Sequence, residues 1–152
     1  MEIVKTTAGT PSCTIDNRVF EFSKWGAEEQ TDTLLELMGV LGDAAGGLAD
    51  IYRTTRDPDA DIAQDVMSRL IGKLTGGLTK DRAATKRLLI KLASGERVVC
   101  DGVQVKNYNQ FYEDQLFLAF QVAAANMKVQ FGNFFSAAGS YLAPPAAAVP
   151  KA

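Results

Sequence analysis

The chain has 152 residues, 47% of them hydrophobic and 22% charged, enough for one domain with a buried core and too apolar for gross disorder. A net charge of −2 and a pI near 5.1 argue against general nucleic-acid binding, which rests on a basic field. The sequence contains no histidine, so the usual general base and the commonest metal ligand are missing; neither an enzyme nor a cofactor is expected.

The opening residues, MEIVKTTAGT, lack the basic start and apolar run of a signal peptide, which predicts a cytoplasmic protein. The longest uncharged stretch, 129–150, is interrupted by Gln130, Asn133, two serines and three prolines, and does not read as a membrane span. Cys13 and Cys100 form no metal or redox motif and suit a reducing compartment. Ile15 then leads into the turn pair Asp16-Asn17, and the pattern through residue 22 puts Phe20 and Phe22 on one strand face.

A first helix is predicted from Ala27, with Leu34, Met38, Leu41, Ala45, Leu48 and Tyr52 sharing a face. Gly39, Gly42, Gly46 and Gly47 interrupt it, each costing roughly 1 kcal/mol against alanine. They imply close helix contact, a break near Gly46-Gly47, or both. Pro58 marks a boundary before a second helix carrying Ile62, Val66, Leu70 and Leu74. A third, capped by Thr79, carries Ala84, Leu88, Leu89 and Leu92 and closes at Ser94-Gly95. Asp101-Gly102, between two β-branched runs, reads as a two-residue hairpin turn with both central residues at positive φ. Asn107 or Asn109 can cap the helix that follows.

Three motifs imitate chemistry. Asp57, Asp59 and Asp61 alternate as in a calcium loop, but Ile62 and Ser68 stand where that loop needs glycine and glutamate. Gly72-Lys73 lacks the Walker spacing and is followed by leucine. Lys80, Arg82, Lys86, Arg87 and Lys91 crowd one segment, and Arg82, Lys86 and Arg87 form one basic face on a helix. Such runs are most often solvated faces; the alternative is a docking site for an acidic partner.

The segment 109–135 holds six of the eight phenylalanines, and Lys128 is the only ionised side chain from Gln115 to Pro150. On a helical wheel, Leu116, Phe117, Phe120, Ala123, Ala124, Met127, Phe131, Phe134 and Phe135 share a sector of roughly 120°. Leu118, Val122, Ala125 and Val129 form a second stripe, separated by the amides of Gln115, Gln121, Asn126, Gln130 and Asn133. Two apolar sides fit a central helix, or a helix with one side used between subunits or on another chain.

The order of these features resembles the tail assembly chaperones of long-tailed bacteriophages. The resemblance spans about residues 20–136. It rests on the strand-like VFEF, on helices with a Gly/Asp-rich middle, and on the Val98-to-Gly102 hairpin. The closing aromatic helix carries Phe111-Tyr112-Glu113-Asp114, Asn126, Phe131, Phe134 and Phe135. It implies a non-enzymatic protein that covers apolar helical segments of the tape-measure protein, in the host cytoplasm, while the tail is built. Other tail proteins and further copies of the chain are also partners under this reading. A permanent baseplate, tube or connector subunit is the alternative.

The expected fold is mainly α, a small helical bundle with a short β-hairpin and a flexible Ala/Pro-rich C-terminal tail. Residues 1–136 are expected to form one domain with 1–12 loose, and 137–152 the tail. The expected client or subunit interface is Leu116, Phe117, Phe120, Met127, Phe131, Phe134 and Phe135, backed by Leu34, Met38 and Leu41. Arg82, Lys86 and Arg87 are the candidate docking face.

Overall fold

Two tight turns organise the strands. Asp16 and Asn17 both take positive φ (52° and 61°), as do Asp101 and Gly102 (49° and 85°), the backbone signature of a two-residue hairpin. Asp and Asn tolerate this region because their short polar side chains bond locally. The first turn joins β2 (Pro11–Ile15) to β3 (Arg18–Phe22), and the second joins β4 (Gly95–Cys100) to β5 (Val103–Val105). A two-residue strand, β1 (Val4–Lys5), pairs with the outer side of β2. The structure is a computed structural model and describes residues 2–41 and 82–142.

The two hairpins join because β3 pairs with β4, Phe20 lying opposite Cys100 and Phe22 opposite Val98. The result is a five-stranded antiparallel sheet in the order β1-β2-β3-β4-β5. The fold is therefore α+β, and the expected mainly helical bundle with a short hairpin is wrong. Each strand is short, and the pairing that unites the hairpins spans more than seventy residues of chain, beyond the reach of a local periodicity.

The helices cover one face of this sheet. They are α1 (Ala27–Leu41), α2 (Arg82–Ala93), the single-turn α3 (Tyr108–Phe111) and the long α4 (Leu116–Leu142). Cys13, Ile15, Phe20, Phe22, Val98 and Val105 enter one core with Leu88, Leu92, Leu118, Val122 and Phe131 of the helices. Burying a large apolar side chain contributes about 1.5–3 kcal/mol, so this layer is the main source of stability. Cys13 and Cys100 are both buried, on the strands either side of Phe20. The second predicted helix, the Thr79 cap, Ala45, Leu48, Tyr52 and residues 143–152 lie outside the described residues.

Among the described side chains of α1, Thr33 and Leu37 are buried, Leu34 is half-buried and Leu35 exposed. Thr33 can go inside because its hydroxyl donates to the Glu29 carbonyl at 2.8 Å. Among the described residues, a Cβ at Gly39 would meet open space.

Thr85 on α2 is fully buried and its Oγ1 has no hydrogen-bond partner among the described residues. An unpartnered buried hydroxyl is destabilising, and valine keeps its shape without the polar atom. Thr85→Val should stabilise the protein by about 1 kcal/mol in urea denaturation; a loss of stability would show that the hydroxyl is satisfied in solution.

The C-terminus of α2 is closed by side chains from three elements. The Ile90 carbonyl accepts from the Ser94 backbone N–H at 3.0 Å and the Ser94 hydroxyl at 2.6 Å. The Leu92 carbonyl accepts from Asn126 Nδ2 at 2.9 Å, and the Ala93 carbonyl from the Tyr112 hydroxyl at 2.6 Å. These are the carbonyls a helix end leaves without partners. Gly95, at φ 109°, then turns the chain into β4.

Burial pushes the Tyr112 phenol well above its ordinary value, because the ionised form cannot be solvated there. The folded state therefore holds this proton more tightly than the unfolded chain. Its contribution is complete below the unfolded tyrosine pKa of about 10 and is lost as pH rises through the folded value. Tyr112→Phe should cost about 2 kcal/mol at neutral pH by stranding the Ala93 carbonyl. It should also flatten the decline in stability above pH ~10, measured by denaturation across that range.

Candidate interaction surface

The aromatic segment is divided by a break. Asn107 caps α3 by accepting from the Gln110 N–H at 3.1 Å, and Asp114, at φ 59°, ends the turn before α4 begins. The break lets Phe111 meet Phe20 edge-on at 6.2 Å and lets Tyr112 reach the end of α2. Arg18 of β3 holds the junction, donating to Gln115 Oε1 at 2.6 Å and lying 5.9 Å from the Phe111 ring centre.

From Leu118 to Gly132, α4 is buried around its circumference, with Gln121 alone half-buried. Within this stretch both apolar stripes are buried: Phe120, Met127 and Phe131 on one, Leu118, Val122, Ala125 and Val129 on the other. Two of the amides between them, Asn126 and Gln130, bond inside the protein. Gln130 Oε1 accepts from the Trp25 N–H at 3.0 Å, while its Nε2 donates to the Ser23 carbonyl at 2.9 Å and to Asn126 Oδ1 at 3.0 Å. Gln30 Nε2 adds bonds to the Gln130 carbonyl and Oε1 at 3.1 and 3.3 Å. The amides thus tie the β3–α1 loop and the end of α2 to the central helix.

The expected interface residues fall into two groups. Phe120, Met127 and Phe131 are core, whereas Leu116 (57% exposed), Phe117 (61%) and Phe134 (49%) reach solvent. The exposed members lie at opposite ends of the buried stretch, with about 17 residues, or roughly 25 Å of helix rise, from Phe117 to Phe134. The side chains of Phe135, Met38 and Leu41 lie outside the described residues. Arg82, Lys86 and Arg87 are all exposed on α2. Lys91, one turn on, instead lies 5.1 Å from the Trp25 ring centre and 3.8 Å from Glu29, which Arg97 also meets at 2.7 Å.

A cavity of about 550 Å³ opens between β1 and α4, with Lys5, Lys24 and Lys128 among its lining residues. The sequence reading did not assemble this site. Its one signal was Lys128, the single charge in a long neutral helix, and that residue is only 6% exposed.

The family model for the phage tail assembly chaperone protein, TAC, matches residues 16–143, well over half of the chain. The chain belongs to this family. No curated protein and no solved structure gives a significant match. In this tail assembly chaperone the match runs from the Asp16-Asn17 turn to just beyond the end of the described α4, so it covers every described element except β1 and β2. Among the described residues of the chaperone, no helix is long and apolar enough to cross a membrane.

Proposed function

We propose that this tail assembly chaperone binds apolar helical segments of the tape-measure protein in the host cytoplasm while the tail is built, without catalysing a reaction. The observation that carries this reading is the exposure of Leu116 and Phe117 side by side at the start of α4, in a chain of a chaperone family. A solvent-facing leucine–phenylalanine pair loses free energy by staying wet and regains it against an apolar helix stripe. The rigid Arg18–Gln115 junction beneath it supports the pair at little conformational cost. Phe134 and Leu35 are further exposed apolar positions that a long client helix could use.

Light scattering on the purified chain, alone and co-expressed with a tape-measure fragment, tests the proposal. The expected result is a soluble complex in place of an aggregating fragment, together with absence of the chain from purified virions by mass spectrometry. A chain that ignores the fragment, assembles with itself and is present in virions at fixed copy number would overturn it in favour of a permanent tail subunit.

A further inference from the structure

We propose that the cavity between β1 and α4 binds a carboxylate-bearing peptide segment of a partner protein, independently of the apolar pair at the start of α4. The cavity measures about 550 Å³, and three lysines, Lys5, Lys24 and Lys128, line it, with Glu2 the one acid among its described lining residues. The three come from unrelated parts of the chain: β1, the loop after β3, and the middle of α4. Only the tertiary fold brings these cations together, in a protein whose net charge is −2. Two of them repel one another: partial desolvation and then the neighbouring Lys5 hold the Lys24 ammonium below the usual lysine range. A carboxylate entering the cavity relieves that repulsion.

The remaining walls favour a peptide over a small ion. Val4, Pro11 and Val129 provide apolar surface beside the lysines, matching an acidic residue flanked by aliphatic ones. Beside the cavity, β1 is the terminal strand of the sheet among the described residues, with one side paired to β2. Its outer edge offers backbone donors and acceptors to an extended chain. A phosphate or sulfate would use the charges and leave the apolar walls and the strand edge unused. Gly132 contributes part of the wall, and a Cβ placed there would meet nothing within 4 Å, so the space continues to the helix backbone.

The test is fluorescence anisotropy on the full chain with a labelled alternating Leu-Glu octapeptide, compared with its Leu-Gln counterpart. The expected result is saturable binding of the acidic peptide only. Lys5→Gln and Lys24→Gln should each weaken it about tenfold, as for loss of a charge-assisted contact. Gly132→Leu should abolish it by filling the cavity without changing charge, and Lys86→Gln on the exposed face of α2 should leave it unchanged. The peptide should also slow acetylation of Lys24 by an N-hydroxysuccinimide ester, read by mass spectrometry on the unmutated chain. Equal binding of the Leu-Gln peptide, an equal effect of Lys86→Gln, indifference to Gly132→Leu, or no binding would each overturn the proposal. So would displacement by inorganic phosphate at the peptide's own concentration, which would mark a small-anion site.

Discussion

Gln130→Ala should lower the free energy of unfolding by about 4 kcal/mol. Four side-chain hydrogen bonds disappear together. The Trp25 N–H and the Ser23 carbonyl lose their partner on either side of the turn into α1, and Asn126 Oδ1 loses its donor. Each buried group left unsatisfied costs about 1–3 kcal/mol, and the loss of the Gln30 contact to Oε1 adds less because that bond is the longest of the set. Against a total stability of about 5–15 kcal/mol, this is a large fraction. With a urea m-value of roughly 2 kcal/mol/M, the midpoint should fall by about 2 M. Gln121→Ala, at a half-buried amide on the same helix, should change stability by less than about 0.5 kcal/mol. If the two variants are equally stable, the amides do not tie the loop to the helix.

The second large effect separates residues that look alike in the sequence. Phe131→Ala should destabilise the protein by about 4 kcal/mol, because the ring is 2% exposed and packs edge-on against Trp25 at 6.4 Å. Phe117→Ala, at 61% exposure, should leave the unfolding midpoint within about 0.5 kcal/mol of the parent. Its expected effect is on client capture, where truncating an aromatic anchor costs about 2 kcal/mol or more, roughly thirtyfold in affinity. Unfolding curves and co-purification with a tape-measure fragment measure the two quantities separately. A Phe117→Ala protein that is folded and retains full capture would remove the start of α4 from the client surface. A Phe131→Ala protein as stable as the parent would contradict its place in the core.

Local chemistry made several elements legible in the sequence. Asp16-Asn17 and Asp101-Gly102 announced turns whose residues do take positive φ, because turn geometry is decided by the residues in the turn. The start of α1 at Ala27 and the buried Leu88, Leu89 and Leu92 of α2 followed from hydrophobic period, which is also local. The order of these elements together with the aromatic C-terminal segment sufficed to point to the chaperone family, whose model matches residues 16–143.

What only the tertiary structure decided depended on contacts between distant residues. The pairing of Phe20 with Cys100 turned two hairpins into one sheet and changed the fold class from helical to α+β. The two apolar stripes of α4 were visible in the sequence, but their burial between Leu118 and Gly132 was not, since a stripe does not say what covers it. The amides looked suited to an interface between chains, yet those of Gln130 and Asn126 bond the protein's own backbone at Ser23, Trp25 and Leu92. Lys5, Lys24 and Lys128 share a cavity only because β1 and α4 are neighbours in space. Turns and helix stripes are short-range consequences of residue type, whereas sheet pairing, burial and cavity formation are properties of the whole packed chain.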